Sequence, residues 1–150
     1  MNVSDILAFK VPAIITIKPS ESVGALSKLL RDRRIGAAIV SGDGQTIDGV
    51  ISERDVAYGL SVHQAGLHSL PVSALMTKAV ITCSPGDDVA KVASTMLSRN
   101  IRHLPVRDGN RLVGMVSIRD VLKVRLDELQ RETAQLRSLA SQSDREPQDR

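Results

Sequence analysis

The chain of 150 residues is predicted to be an α+β protein made of two copies of one strand-helix-strand-strand-helix unit. Three observations predict it. The segment Gly49 to Val56, GVISERDV, returns 65 residues later as Gly114 to Val121, GMVSIRDV. The match extends upstream, where Pro19-Ser20-Glu21-Ser22-Val23 aligns with Pro85-Gly86-Asp87-Asp88-Val89 and Arg33-Arg34-Ile35 with Arg99-Asn100-Ile101. Short apolar runs and helically spaced apolar residues then alternate in the same order in each copy. A unit of about 60 residues is marginal alone, so the two copies are expected to share a core.

Taken in order, Val3-Ser4-Asp5-Ile6-Leu7 finds a loose partner in Val72-Ser73-Ala74-Leu75-Met76. The apolar runs Ala13 to Ile17 and Val80 to Thr82 each end near a proline, as a strand does before a turn. Apolar residues at Val23, Leu26, Leu29 and Leu30, and at Val89, Val92, Ala93, Met96 and Leu97, then predict a helix in each copy. Two short strands follow around a turn: Ala37 to Ser41 with Ile47 to Ser52, and Arg102 to Arg107 with Leu112 to Ser117. The turns, Gly42-Asp43-Gly44 and Asp108-Gly109-Asn110, are rich in residues that tolerate positive φ. A second helix should start just after Ser52 and Ser117. These boundaries give units over 1–62 and 72–125 joined by a linker over 63–71, packing sheets or helices face to face with approximate two-fold symmetry. Leu122, Leu126, Leu129, Thr133, Leu136 and Ala140 form a short a/d seam on a C-terminal helix over 126–140, which pairs with another subunit or lies on its own domain. A polar tail over 141–150 should fray.

Composition narrows the function. With 20 Lys and Arg against 17 Asp and Glu, and with one Tyr, one Phe and no Trp, the chain offers neither a basic stripe nor stacking platforms for nucleic acid. No apolar run reaches membrane length, and the N-terminus lacks the pattern of a signal peptide, so a cytoplasmic protein is expected. Cys83 is the only cysteine, which rules out an intrachain disulfide and leaves a small residue in or beside a strand. No His, Cys or carboxylate cluster has metal-ligand spacing.

The recurring residues suit a nucleotide site. Glycine lets a strand backbone come close to a ligand. Ser52 and Ser117, at strand-to-helix junctions, are placed to donate to a phosphate that also faces the first helical N–H groups. Asp55 and Asp120 are placed to accept from both hydroxyls of a ribose, and Arg54 and Arg119 suit bidentate phosphate recognition. The competing reading is a capping box, in which Ser and Asp only start the helix. Capping requires neither the upstream glycine nor the arginine.

The doubled Gly-x-x-Ser-x-x-Asp segments, Gly49/Ser52/Asp55 and Gly114/Ser117/Asp120, resemble those of tandem cystathionine β-synthase (CBS) domains, the Bateman module. So do the run Ile101-Arg102-His103-Leu104-Pro105-Val106 and the pairs Thr16/Pro19 and Thr82/Pro85. The resemblance covers about residues 1 to 125, and the whole chain looks like stand-alone bacterial CBS-pair proteins linked to stress and hypoxic response. It implies a non-catalytic, homodimeric sensor for an unknown protein target. The implied ligand is AMP, or else ADP, ATP or NAD(H), held in clefts between the repeats. The implied contacts are Thr16, Gly36, Ala37, Ser52, Arg54 and Asp55, with Thr82, Ile101, Arg102, His103, Pro105, Ser117, Arg119 and Asp120. In the first copy Gly36-Ala37 replaces Arg102-His103, which leaves room for a larger ligand or leaves that cleft empty. The alternative is an interaction adaptor that acts through its C-terminal helix.

Overall fold

A computed structural model describes residues 1–10 and 14–144. The first unit contains β1 (Thr16–Ile17), α2 (Val23–Arg33), β2 (Ala37–Val40), β3 (Gly49–Ser52) and α3 (Glu53–His63), and α1 (Val3–Phe9) precedes it. The second contains α4 (Val89–Arg99), β4 (His103–Asp108), β5 (Arg111–Ser117) and α5 (Ile118–Ser143). β1 runs parallel to β2, which pairs antiparallel with β3, and β4 pairs antiparallel with β5.

Local chemistry explains the element ends. Ser22 caps α2 by accepting from the Ala25 N–H at 3.0 Å, and Asp88 accepts from the Ala90 N–H at the start of α4. Both helices stop on a left-handed residue, Arg34 (φ 53°) and Asn100 (φ 52°). The next N–H groups, of Ile35 and Ile101, then return to Leu30 and Met96 at 3.1 and 3.0 Å. The same turn is therefore built twice, once on asparagine and once on an arginine that bears the steric cost.

The expected strand Val80 to Thr82 does not form. Cys83 alone makes a parallel bridge to Val106, with the Arg107 N–H donating to its carbonyl at 2.8 Å, as the Ser41 N–H does to Ile17 at 2.9 Å. The pairing is conserved between the copies but shortened, because Val80 and Ile81 turn aside to line a cleft. Ala13, at the head of the first predicted strand, lies outside the described residues, and so does the tail beyond Asp144.

Each unit takes its first helical turn from the other. Val3 and Ile6 of α1 lie in the core of the second unit with Val92, Met96, Leu104, Val116 and Val121. Val72 lies in the core of the first with Leu26, Leu30, Val40 and Ile51. The backbone bonds are equivalent: Val3 and Ser4 N–H donate to Asp87 and Pro85 at 3.0 and 2.9 Å, while Val72 and Ser73 N–H donate to Glu21 and Pro19 at 2.7 and 3.0 Å. The loose match between Val3–Leu7 and Val72–Met76 is thus a reciprocal exchange. A third cluster, Ala37 and Ile39 against Leu112 and Met115, joins the two sheets. With helices on one face and the other sheet on the opposite face, every residue of β2 is buried.

The structure departs from the predicted pattern at three further places. The linker is folded, with a 3-10 helix over Gln64–Ser69 that buries Leu67. α5 runs unbroken from Ile118 to Ser143, so the last helix of the second unit and the C-terminal helix are one, and residues 141–143 belong to it. Leu97, one of the apolar residues whose spacing predicts α4, is 75% exposed.

Candidate functional site

The Ser-x-x-Asp segments start α3 and α5 where β3 and β5 end. Asp55 Oδ2 accepts from the Ser52 N–H at 2.8 Å and from its hydroxyl at 3.1 Å, while the Asp55 N–H donates to Ser52 Oγ at 3.3 Å. Ser117 and Asp120 repeat this, with Ser117 N–H to Asp120 Oδ2 at 2.9 Å and Asp120 N–H to Ser117 Oγ at 3.2 Å. Both capping boxes are therefore formed. Capping and cleft lining are not exclusive here, because each Ser and Asp also borders an open cleft.

The first cleft encloses about 220 Å³ between the start of α3 and the second unit. Ser52, Arg54 and Asp55 face Ile101, Arg102 and His103 across it, and the segment from Ala79 to Ile81 forms its apolar side. Arg54 donates to the Asn100 carbonyl at 3.3 Å, which ties the α3 start to the end of α4. The second cleft, about 660 Å³, sets Ser117, Arg119 and Asp120 opposite Gly36 and Ala37 of the first unit. Each cleft thus combines the helix start of one repeat with the strand start of the other. Arg102, His103 and Glu53 border both clefts and form the wall between them.

The asymmetry at the centre has a steric cause. A Cβ on Gly36 would lie 3.2 Å from His103 Nε2 and 3.4 Å from Glu53 Oε1. The space opened by Gly36 is therefore taken by the His103 ring of the second copy, and Ala37 is fully buried between the sheets. Burial holds the His103 imidazole below its ordinary value, helped by the charge on Lys10 and opposed by Glu53 and Asp120. It is accordingly neutral at physiological pH.

Burial alone would raise the Asp120 carboxyl, but the Ser117 backbone N–H and the Lys10 ammonium together hold it below the usual carboxylate range. Lys10 Nζ lies 2.9 Å from Asp120 Oδ2 and donates to the Met115 carbonyl at 2.8 Å. Lys10, Arg31, Arg34 and Glu53 border the clefts without having been singled out from the sequence. Glu53 lies inside the Ser-x-x-Asp segment and was within reach of the motif. Lys10 had no such signal, because only the crossing of α1 brings it there.

Three predicted contacts are elsewhere. Thr16 pairs with Ile39 in β1 and borders a separate shallow groove near Gly42 and Asp43. Thr82 precedes the Cys83 bridge and lines neither cleft. Pro105 is buried in β4, opposite Met115, where its carbonyl accepts from the Cys83 N–H at 3.0 Å. Gly49 also has a different role from the one predicted. A Cβ there would sit 2.8 Å from the Thr77 carbonyl oxygen and 2.7 Å from Met76 Sδ, so the glycine admits a neighbouring chain segment rather than a ligand. Among the described residues no group of His, Cys, Asp and Glu is arranged to hold a metal ion, and no helix is long and apolar enough to cross a membrane.

The chain is similar to several solved structures. A CBS-domain containing protein from Agrobacterium tumefaciens is 31% identical, with a TM-score of 0.80 over 83% of this chain and 99% of that one. The CBS domain pair of protein MJ0100, in complex with 5'-methylthioadenosine and S-adenosyl-L-methionine, is 28% identical with a TM-score of 0.74 over 85% of this chain and 98% of that one. CBSX2 in complex with AMP is 25% identical with a TM-score of 0.69 over 84% and 96%. The CBS domain pattern itself matches residues 3–61 and again residues 72–127. The two matches, the doubled capping boxes and the reciprocal packing of the units place the chain in the CBS domain family, as a tandem pair.

Proposed function

We propose that the chain is a non-catalytic regulatory module that binds an adenine nucleotide, AMP foremost and ADP, ATP or NAD(H) as alternatives, in the two composite clefts. One observation carries the reading: in each cleft the Ser and Asp of one repeat face the strand start of the other across an open space with an apolar side. That arrangement suits a flat base, a ribose held by carboxylate acceptors and a phosphate near helical N–H groups. The AMP complex of CBSX2 and the methylthioadenosine complex of MJ0100 support an adenine-containing ligand. A ligand shared between two repeats biases their relative position only if it binds one arrangement more tightly than another. We place the module in the cytoplasm as a homodimer that reports energy or stress state to a protein target.

The test is calorimetric titration of AMP, ADP, ATP, NAD+ and NADH into nucleotide-free protein. Micromolar affinity, about −8 kcal/mol, is expected for at least one of the five. Asp55→Ala should weaken binding in the first cleft by roughly tenfold or more, the worth of a hydrogen bond to a charged group. Absence of heat with all five in folded protein would refute the reading.

A specific feature favours a second, compatible role. Leu122, Leu126, Leu129 and Leu136 of the seam, with Leu139 beside it, are between 49% and 62% exposed on α5, which supports pairing with another subunit. An apolar stripe of this kind is suited to a matching helix of a second subunit. Removing residues 126–150 is expected to abolish self-association in light scattering while nucleotide affinity is retained. Loss of both would make the helix part of the ligand site.

A further inference from the structure

The two clefts differ in charge as well as size. Lys10, Arg31, Arg34, Arg102 and Arg119 line the second, against the carboxylates of Glu53 and Asp120. Arg31 is partly engaged with the exposed Asp32 at 3.4 Å. In the first cleft Arg54 and Arg102 are balanced by Glu53 and Asp55. A concave site with one sign of charge and low-dielectric walls focuses its field, so the second cleft attracts anions and the first is nearly indifferent to them.

The acceptor carboxylates differ in the same direction. Among the described residues Asp55 bonds only with Ser52. Asp120 is also bound by Lys10, whose ammonium has a second fixed partner in the Met115 carbonyl. We propose that Lys10 makes the second cleft selective for a nucleoside polyphosphate and leaves the first cleft to ligands with one phosphate or none. This rests on the adenine-nucleotide reading above. An ammonium has three donors, and two are used among the described residues, which leaves the third for a phosphoryl oxygen. A ligand that offers only ribose hydroxyls must compete with Lys10 for Asp120. One that brings several phosphoryl oxygens instead gives the ammonium and the neighbouring guanidinium groups a more negative partner, in a geometry that guanidinium matches well.

The experiment is calorimetric titration of adenosine, AMP, ADP, ATP and inorganic tripolyphosphate into the unaltered chain, Lys10→Gln, Lys10→Arg and Lys91→Gln. Lys91 is exposed on α4 and lines neither cleft, so its variant removes the same unit charge from elsewhere. The unaltered chain should bind ATP about tenfold or more tightly than AMP at one site, as expected for added charge-assisted hydrogen bonds. Lys10→Gln should bring that ratio to about threefold or less, whereas Lys10→Arg and Lys91→Gln keep it. Should Lys10→Gln fail to fold, Arg34→Gln, at an exposed position bordering the same cleft, should move the ratio the same way. An unchanged ratio in folded Lys10→Gln overturns the inference and leaves nucleotide binding intact. An equal loss in Lys91→Gln, or tripolyphosphate binding as tightly as ATP, overturns it as well. If none of the adenine compounds binds, the functional reading itself fails.

Discussion

Asp55 and Asp120 perform the same local task and differ in what surrounds them. Each closes a capping box, worth about 1 kcal/mol to its helix. Asp120 additionally faces Lys10, and its carboxyl is held below the ordinary value of 3.8 despite partial burial. A folded-state value depressed below the unfolded one contributes stability above the unfolded value. That contribution disappears as pH falls through the folded value. We therefore expect the urea midpoint to drop steeply below about pH 4, and the drop to be shallower in Asp120→Asn. Equal slopes for the two proteins between pH 7 and 3 would contradict this account. Cys83 is the opposite case. Burial, with the nearby charge of Asp87, pushes its thiol up to about 12, so it stays protonated at neutral pH and behaves as a small core residue.

Among the elements, the recurring glycine of the first copy serves chain packing. Gly49 opens β3, where Val50 exchanges backbone bonds with Thr77 at 2.9 and 3.0 Å. That bridge brings the segment before Ala79 against the sheet and so forms one side of the first cleft. A methyl group at Gly49 would meet a backbone oxygen at 2.8 Å, which cannot turn aside as a side chain can. Gly49→Ala should cost about 1–3 kcal/mol, read from urea unfolding. It should also loosen ligand binding in the first cleft more than in the second. Wild-type stability in this variant would show that the segment can shift freely.

The reciprocal exchange of α1 and Val72 ties the two units together through both cores. Ile6 is 4% exposed and fills the second core, while Val72 is fully buried in the first. Ile6→Ala should therefore cost about 2–5 kcal/mol, even though Ile6 belongs to the first repeat in the chain. Far-UV circular dichroism should show one unfolding transition for the entire domain in this variant, since neither core is complete without the other unit. Two separated transitions would mean that the units are stable independently.

Much of this architecture was legible in one dimension. Repetition of Pro19–Val23 as Pro85–Val89, and of the Gly-x-x-Ser-x-x-Asp segment, carries local information about caps, turns and hydrophobic period, and these depend on neighbours a few residues away. The helices α2 to α4, the antiparallel strand pairs and the capping boxes at Ser52 and Ser117 follow from it. What the sequence could not specify is which copy supplies a partner to which, because either pairing satisfies the same local rules. Tertiary packing decided that α1 crosses to the second unit and brings Lys10 to Asp120. It also decided that His103 fills the space at Gly36 and that Val80 and Ile81 leave the sheet. Each of these contacts joins residues far apart in the chain, and is selected by where buried apolar area and steric room coincide once both units are assembled.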